Sequence, residues 1–539
     1  MKILSAAEMR EVDRLTTERF GVPSLLLMEN AAARTIEATE KKFGDLTGKR
    51  ALIVCGRGNN GGDGAAIARL LHNRGVAVDA LLLGRIEETK GDARTNFEAA
   101  LDLASKADAA FRFLEIDTPE QFWAEASANP HNLFFDAILG TGLTRPASGL
   151  FEEAIHLLND HTKDWPVISV DIPSGLPSDS QDLIGPAVKA DLTVTFTAPK
   201  IGNIFAPAAD LCGELVVAPI GSPEELINSS GSRLNLIERQ DVAAWLADSR
   251  RSPHANKGNV GKVLVVAGSR GKTGAACLAG EAALRAGCGL VTIATAESCL
   301  PIVASRTLAE CMTEPLAETS AGSVGREASD RVLELSGERD VLAIGPGLGS
   351  SDKSTRALMR AVAMQRQQPI VIDADGLNSL APWARNLRGS ARLPIVLTPH
   401  PGEMSRLIAK PVADVLKNPI EVARSFAVDF SLILLLKGSP SLVAAPDGQV
   451  YVNATGNAGM ATGGTGDVLT GMIASFLAQK PGDPLSATIA AMYLHGLAGD
   501  IAASRIGTRA MIASDITAHL GEALISVGGD PEKVSGVLL

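Results

Sequence analysis

The sequence has few cysteines, and they are scattered. Six cysteines among 539 residues are too sparse and too irregularly spaced for a disulfide framework or for the paired ligands of a structural zinc site. Such scarcity is typical of a reducing compartment, so we expect a cytoplasmic location. The first residues also lack the uninterrupted apolar core of a signal peptide, and we expect no export.

Positive charge and long apolar runs are lacking as well. Lysine and arginine total 50 against 61 for aspartate and glutamate, so the net charge is −11 and no basic field favours nucleic acid or an anionic membrane. No apolar stretch approaches the roughly 18 residues that a membrane-spanning helix needs. The absence of fixed-period repeats and low-complexity tracts excludes solenoid and fibrous proteins. We therefore expect small-molecule partners, with neither nucleic acid nor membrane.

What remains is the composition of a globular α/β protein, with 46% hydrophobic and 21% charged residues. Short β-branched or Leu-rich runs alternate with longer Ala-rich segments of helical period, which predicts repeated βαβ units around parallel sheets. The predicted strands, six in each part of the chain, span residues 51–55, 76–83, 132–138, 167–170, 192–196, 214–217, 262–267, 290–294, 341–344, 369–372, 394–397 and 432–436.

A polar segment separates the two predicted sheets. Residues 221–233 are rich in Ser, Gly and Pro, which is the composition of a domain boundary, and we place the break near residue 225. This predicts one domain over residues 1–224 and a second over residues 225–539. Two helices, one capped by Ser5 and one following Pro23, are expected to cover a face of the first sheet.

Five glycines crowd residues 56–64, between the first predicted strand and a helix predicted from Ala65. Three of them match the GxGxxG spacing of dinucleotide-binding proteins, and Asp79 lies where a ribose-binding acid is expected. A Rossmann dehydrogenase is therefore one interpretation, and a tight turn without a ligand is another. Against the dehydrogenase, two consecutive asparagines offer cation or hydroxyl ligands, and Asp63 would repel a pyrophosphate at the helix start.

Two further polar loops follow predicted strands of the same sheet. One contains Asp136 and residues 140–146, and the other begins at Asp171. Because ligands bind outside the carboxyl ends of parallel strands, the three loops are expected to bring Asn60, Asp136 and Ser174 together as oxygen donors. This predicts a small cation site beside a pocket, with Asp171 as an acid/base group. Taken singly, each carboxylate also fits a helix cap or a turn.

Four segments resemble the YjeF N-terminal domain, the NAD(P)H-hydrate epimerase, namely residues 28–32, 59–64, 136–145 and 169–175. In that family the domain interconverts the R and S forms of NADH or NADPH to which water has added. The resemblance implies a potassium ion bound by Asn60, Asp136 and Ser174, with Asp171 as the catalytic acid/base. It also implies substrate contacts from Asn59, Asn60, Gly61, Gly62, Asp63, Gly140, Thr141, Gly142, Leu143, Thr144, Arg145, Pro146 and Asp171.

Glycine or polar residues follow five successive predicted strands of the second part, which predicts a long cleft along that edge of its sheet. The first of these loops imitates a phosphate-binding P-loop. However, Val266 stands where the first glycine of GxxxxGKT is required, so we reject that motif. The other four loops begin at Gly345, Asp373, Thr398 and Lys437.

Residues 457–467 carry four glycines and an acid and lead into a predicted helix. Glycine amides at a helix start form an anion hole for a transferring phosphoryl group, and Asp467 can accept a proton from the attacking hydroxyl. This pairing is typical of phosphoryl transfer and exceeds what a structural turn needs. His400, which follows another predicted strand, taken alone also fits a packed or surface histidine.

These motifs resemble the ribokinase-like superfamily and, more closely, the YjeF C-terminal domain, the ADP- or ATP-dependent NAD(P)H-hydrate dehydratase. The resemblance implies that the hydrate contacts Ala275, Gly347, His400 and Asp467, with Asp467 catalytic. It implies adenine nucleotide contacts from Lys437, Gly438, Ser439, Pro440, Ser441, Gly463, Gly464, Thr465 and Gly466.

The two resemblances together imply a Rossmann-like three-layer αβα domain followed by a ribokinase-like αβα domain, with a metabolite-repair function. ADP would phosphorylate the hydroxyl of the S hydrate, with Mg²⁺ offsetting the nucleotide charge, and loss of phosphate would restore NAD(P)H and release AMP. The first domain would convert the R form to the S form. We also expect a homo-oligomer.

Two other functions fit parts of the sequence. One is a Rossmann dehydrogenase fused to a ribokinase-type small-molecule kinase, which would release a stable phosphate ester. The other is a first domain that senses a ligand without catalysis, which the presence of Asn60, Asp136 and Asp171 disfavours.

Overall fold

The computed structural model describes residues 1–106, 110–160 and 165–528, so the end of the predicted second domain, 529–539, lies outside the described residues. The chain divides into two compact units, Met1–Leu234 and Asn235–Leu539. The first unit therefore extends beyond the predicted end at residue 224. The physical reason is the helix Glu224–Asn228, whose Leu226 is buried in one apolar cluster with Leu4 and Met9.

The first unit is built on a seven-stranded sheet. Its strands are β1 (Arg50–Cys55), β2 (Ala77–Leu83), β3 (Phe111–Ile116), β4 (Leu133–Ala137), β5 (Val167–Val170), β6 (Leu192–Phe196) and β7 (Glu214–Ala218). They lie in the order β3-β2-β1-β4-β5-β6-β7, and every pairing is parallel. Parallel strands need crossover connections, which the helices supply.

Helices cover both faces of this sheet. They are α1 (Ala6–Phe20), α2 (Ser24–Phe43), α3 (Asn59–His72), α4 (Gly91–Lys106), α5 (Pro119–Ala126), α6 (Leu150–Asp160), α7 (Ile201–Ile204) and α8 (Glu224–Asn228), with 3₁₀ turns at Ile86–Glu88 and Ala208–Leu211. Alternate residues of β1 enter different cores: Ile53 packs in the cluster that holds α2, α3 and α4, and Leu52 in the cluster that holds α5 and α6. The predicted αβα layering of this domain is confirmed.

The second unit is built on a ten-stranded sheet. Its strands are β8 (Leu234–Leu236), β9 (Lys262–Val266), β10 (Leu290–Ala296), β11 (Met312–Leu316), β12 (Val341–Ile344), β13 (Ile370–Ile372), β14 (Ile395–Leu397), β15 (Ile433–Leu436), β16 (Ser441–Ala444) and β17 (Val450–Asn453). They lie in the order β11-β10-β9-β12-β13-β14-β15-β16-β17-β8. The pairings from β11 to β15 are parallel, whereas β15, β16 and β17 pair antiparallel.

The helices of the second unit cross between these strands or pack on the sheet. They are α9 (Arg239–Asp248), α10 (Thr273–Arg285), α11 (Leu300–Arg306), α12 (Ser329–Gly337), α13 (Lys353–Gln365), α14 (Asp375–Leu380), α15 (Pro401–Ile408), α16 (Val412–Lys417), α17 (Pro419–Phe430), α18 (Thr465–Gln479), α19 (Pro484–Ile506) and α20 (Ala513–Gly528), with 3₁₀ turns at Glu297–Cys299, Arg326–Ala328 and Ala458–Met460. The buried core joins α10, α18 and α19 to strands such as β9, through Val263 and Val265.

In both sheets the strand order changes direction once. The chain first adds strands on one side of β1 or β9 and then continues on the other side, at β4 or β12. At such a switch point the loops at the carboxyl ends of adjacent strands diverge and leave a crevice for a ligand. The three loops that carry the predicted chemistry of the first unit follow β1, β4 and β5, which are neighbours in the sheet. The five of the second unit follow β9, β12, β13, β14 and β15, which are also consecutive neighbours.

The described residues contain no helix that is both long enough and apolar enough to cross a membrane.

Candidate functional sites

A cavity of about 770 Å³ opens among the loops at the carboxyl edge of the first sheet. Gly61, Gly62 and Pro146 do not line it. The other predicted epimerase residues do, namely Asn59, Asn60, Asp63, Gly140, Thr141, Gly142, Leu143, Thr144, Arg145 and Asp171.

The glycine loop explains this division. α3 begins at Asn59, not at residue 65 as the sequence predicted, so Gly61 and Gly62 lie in its first turn. A Cβ on Gly61 would lie 1.7 Å from the carbonyl oxygen of Gly56, and one on Gly62 would lie 2.7 Å from Cα of Ala93. These two glycines therefore face packed protein, and their lack of a side chain lets the turn carry its asparagines to the cavity.

Asp136, in β4, forms the base of the predicted cation site and is completely buried. It accepts hydrogen bonds from Ser169 Oγ and from the Ser174 backbone nitrogen, each at 2.8 Å, and from the Ser174 hydroxyl. Burial raises the pKa of the Asp136 carboxyl, because the charged form loses water. A cation beside it would compensate that charge.

Asn60 completes the same group of oxygens. Its Nδ2 donates to the carbonyl oxygen of Leu139 at 3.0 Å, and the Leu139 backbone nitrogen donates to Ser174 Oγ at 2.8 Å. Oδ1 of Asn60 is buried and has no hydrogen-bond partner in the part of the chain that the structure describes. A buried carboxylate, a hydroxyl and an unpaired amide oxygen are a fitting donor set for a hard cation.

Asp171 directly follows β5, with a φ of 68°. Asp tolerates this left-handed region better than most residues do, whereas a β-branched side chain would be strained there. Its carboxylate accepts from Thr195 Oγ1 at 3.1 Å and from the ammonium of Lys200. Lys200 is 1% exposed and also donates to Thr195 Oγ1 at 2.7 Å, so the ion pair is fixed at the wall of the cavity.

Two more carboxyls line the cavity beside this ion pair, on Asp13 of α1 and Asp63 of α3. Burial, opposed in part by Lys200 and reinforced by the charge of Asp171, raises the pKa of Asp13 to about 6. Burial and the charges of Asp171 and Asp13 raise the pKa of Asp63 well above its ordinary value. The cavity therefore holds exchangeable protons at neutral pH.

Sequence reasoning missed Lys200 and Asp13. Lys200 lies just beyond β6, the next strand along from β5, so the rule about polar residues after strand ends could have found it. Asp13 lies within α1, on the helix face shared with the buried Met9 and Val12. No strand-end pattern marks a helix residue of that kind.

Asp79, which the dehydrogenase interpretation needs as a ribose ligand, lies elsewhere. It is near the beginning of β2 rather than its end, so that expectation is wrong. It is fully buried, 2.7 Å from His131 Nε2, 2.9 Å from Asn129 Nδ2 and 3.3 Å from Arg50 Nη1. Arg50 begins β1 and the other two precede β4, so this cluster sits at the amino edge of the sheet, away from the glycine loop.

A second cavity, of about 600 Å³, opens at the carboxyl edge of the second sheet. It is lined by five of the predicted dehydratase residues, which are Ala275, Gly347, Gly463, Gly464 and Asp467. The lining also includes Lys272, Asp375 and Glu403, which were not predicted as site residues. Lys272 Nζ and Asp375 Oδ2 are 2.9 Å apart, and Asp375 also accepts from the Gly349 nitrogen at 2.9 Å.

Asp467 lies in the first turn of α18 and lines this cavity. Burial and the neighbouring charge of Asp373 raise the pKa of Asp467 to about 7, against the opposing effect of Lys437. A carboxyl with a pKa near neutrality can accept and release a proton under physiological conditions. Gly464, with a φ of 98°, supplies the left-handed turn that starts the helix.

Lys437 is the first residue of the predicted nucleotide-binding turn, and its charge acts on the carboxyl of Asp467. Its Nζ is 2.7 Å from Asp373 Oδ1, and a Cβ built on Gly466 would lie 3.2 Å from the same nitrogen. Burial by itself lowers the pKa of Lys437, but the charges of Asp373 and Glu403 outweigh it and raise the pKa. The turn from Gly438 to Ser441 leads from β15 into β16 and does not line the cavity.

His400 also lies outside the cavity lining. Its Nδ1 accepts from the Gly402 nitrogen at 3.0 Å, and its own backbone nitrogen donates to Glu403 at 2.9 Å, which caps α15. Its side chain is half exposed, while Glu403 is buried and reaches the cavity. His400 thus contacts the cavity lining through Glu403, and its role toward the hydrate stays a prediction.

Two family models match the chain, one in each unit. Residues 24–202 match the YjeF-related protein N-terminus, and residues 263–521 match NAD(P)H-hydrate dehydratase. A relative from Moorella thermoacetica, bifunctional NAD(P)H-hydrate repair enzyme Nnr, is 44% identical over 99% of this chain and 98% of its own length. The chain belongs to the family of bifunctional NAD(P)H-hydrate repair enzymes. This confirms the predicted family and its two activities, an isomerase and a lyase in one chain. It favours that interpretation over the alternative of a dehydrogenase fused to a kinase.

Two other similar proteins give the range of similarity. The enzyme Nnr of Escherichia coli K12 is 34% identical over 96% of this chain and 92% of its own length. The crystal structure of the ADP/ATP-dependent NAD(P)H-hydrate dehydratase from Bacillus subtilis, co-crystallised with ATP and Mg²⁺, is 30% identical. It covers 54% of this chain and 98% of its own, with a TM-score of 0.48.

Proposed function

We propose that the first cavity epimerises hydrated NADH and NADPH at the hydroxyl-bearing carbon, with Asp171 as an acid/base group. The observation that carries this role is the ion pair of Asp171 with buried Lys200 at the cavity wall. Lys200 orients the carboxylate and Thr195 holds both groups in place. The ring of the hydrate enters between the loops at 59–63 and 140–145, which line the cavity.

We further propose that Asn60, Asp136 and Ser174 bind a potassium ion. The unpaired Oδ1 of Asn60 and the buried charge of Asp136 support this. When bound, the ion would supply a positive charge that stabilises the loop after β4. The loops that hold the hydrate would then be ordered before the substrate arrives.

Potassium is expected to raise the melting temperature of the first unit relative to a large organic cation at equal ionic strength. A stabilisation of about 1 kcal/mol corresponds to about 2–4 °C for a unit of this size. In Asn60→Ala the potassium-dependent increase should disappear. Asn73→Ala, at the exposed end of the same helix, is the control and should keep it. Equal melting temperatures in both salts would contradict the site.

In the second cavity we propose that Asp467 accepts the proton of the hydrate's hydroxyl as that oxygen attacks the terminal phosphoryl group of ADP. The backbone amides of Gly463, Gly464 and Gly466 stabilise the charge on the phosphoryl group. In this proposal Lys437 binds the nucleotide's phosphates, and Mg²⁺ would offset the remaining charge. The ring nitrogen then expels phosphate, the carbon next to the resulting C=N bond loses a proton to give the ring's C=C bond, and NAD(P)H and AMP are released.

The experiment that tests both activities mixes the purified chain with R and S hydrates of NADH and follows the absorbance of the reduced nicotinamide. We expect complete recovery with ADP and Mg²⁺, and none without nucleotide. Recovery of only about half would mean that the first unit is inactive, because only the S form would be consumed. A stable phosphorylated product in place of NADH would favour a kinase instead.

We also propose a cytoplasmic location and a homo-oligomeric state. All six cysteines are free, and five of them are buried, which is compatible with a reducing compartment. Sedimentation of the full chain would measure its oligomeric state.

A further inference from the structure

Helix α1 lies ahead of the region that matches the epimerase family model, yet it forms part of the epimerase cavity. Met9, Arg10 and Asp13 of this helix line the cavity, while the matched region begins at residue 24. The helix is fixed at its start. The Ala6 nitrogen donates to Asp179 at 2.8 Å, and the Leu4 nitrogen donates to the carbonyl oxygen of Pro199 at 3.0 Å, next to Lys200.

The carboxyl of Asp13 lines the cavity, and one of its oxygens has no structural partner among the described residues. That oxygen, Oδ1, is buried and accepts no hydrogen bond from them. The charged groups that face it come from three other elements: Lys200 at the start of α7, Asp171 after β5 and Asp63 in α3. A carboxyl that is buried without donors is costly to keep ionised, so it takes up a proton readily.

Epimerisation needs two such groups. In one direction, a carboxylic acid gives its proton to the departing hydroxyl, the C–O bond breaks, and the ring nitrogen's electron pair forms a C=N bond. Water then adds to the opposite face, a carboxylate takes a proton from it, and the pair returns to nitrogen. No electrons leave the ring. The reverse reaction exchanges the two roles, so one proton must be shared between two carboxyls on opposite sides of the ring.

We propose that Asp13 is the second acid/base group of the epimerase and works against Asp171 from the other side of the hydroxyl-bearing carbon. This inference rests on the proposed epimerase function. Asp63 is the other candidate, but it is nine-tenths buried, and burial together with the charges of Asp171 and Asp13 raises its pKa well above the ordinary value. The pKa of Asp13, about 6, gives access to both protonation states near neutrality.

The test compares Asp13→Asn with the wild type in the mixed-hydrate assay, where epimerisation limits the second half of the recovery. We expect Asp13→Asn to slow that half by at least about 100-fold and to leave the first half, which is dehydration of the S form, unchanged. Asp13→Glu should restore part of the rate. Glu11→Gln, on the exposed side of the same helix, should match the wild type.

The pH profile separates acid/base chemistry from a positioning role. In the wild type, epimerisation should slow as pH rises above about 6, because the shared proton is lost, and Asp13→Asn should abolish this dependence. Epimerisation within threefold of wild type in Asp13→Asn, or a residual rate with the wild-type pH dependence, would overturn the proposal. A wild type that stops at half recovery would instead overturn the epimerase function itself.

Discussion

An Asp467→Asn variant is expected to dehydrate the S hydrate on the order of 10³-fold more slowly than the wild type, with the rate of epimerisation unchanged. Asn has nearly the same shape but cannot accept the proton of the attacking hydroxyl. The loss should appear in kcat, while KM for ADP stays within a few-fold, because Lys437 and the glycine amides remain. A large rise in KM with an unchanged kcat would show that Asp467 only binds the nucleotide.

The same carboxyl predicts the pH dependence of the dehydratase. Asp467 must be ionised to accept a proton, and burial raises its pKa to about 7. Activity should therefore rise with pH up to about 7 and fall tenfold for each pH unit below it. Asp429→Asn, an exposed residue of α17, is the matched control and should keep the wild-type profile. A dehydratase rate independent of pH between 5 and 8 would contradict the role of Asp467 as a base.

The parallel interior of both sheets could be predicted from the sequence because its strands are buried on both faces. All twelve predicted strands are present, with ends that differ by at most two residues. Of the five missed strands, β3, β8 and β11 lie at sheet edges, and β16 and β17 belong to the antiparallel part of the second sheet. β11 (MTEPL) has one buried residue among five and contains a proline, and Arg112 and Glu115 interrupt the apolar residues of β3. Such strands lack the continuous apolar run that marks a central parallel strand.

The candidate sites were predictable to the extent that they lie at strand ends. The loops after β1, β4 and β5 meet because their strands are neighbours, and the hydrogen bonds that join Asp136 and Ser174 follow from that adjacency. Lys200 follows a fourth strand on the same rim. Asp13 comes from a helix that packs back on the cavity. Its contribution depends on tertiary packing, which no local spacing in the sequence encodes.

An Asp171→Asn variant is expected to epimerise on the order of 10³-fold more slowly than the wild type and to dehydrate the S hydrate normally. In the mixed-hydrate assay it should stop near half recovery. Asn suits this position because it also tolerates the left-handed backbone of residue 171, and its amide oxygen can still accept from Lys200. The substitution thus removes the carboxylate while preserving the turn. Asp182→Asn, exposed after the same strand, is the matched control.

The second half of that recovery distinguishes catalysis from ligand sensing. A first unit that only sensed its ligand would leave the R hydrate unconsumed, so wild type and Asp171→Asn would both stop near half recovery, at the same rate. Adding wild-type first-unit activity in trans, from an Asp467→Asn chain, should restore full recovery to Asp171→Asn, because each chain keeps one intact site. Recovery that stayed at half after mixing would mean that the S hydrate formed by one chain does not reach the second cavity of the other.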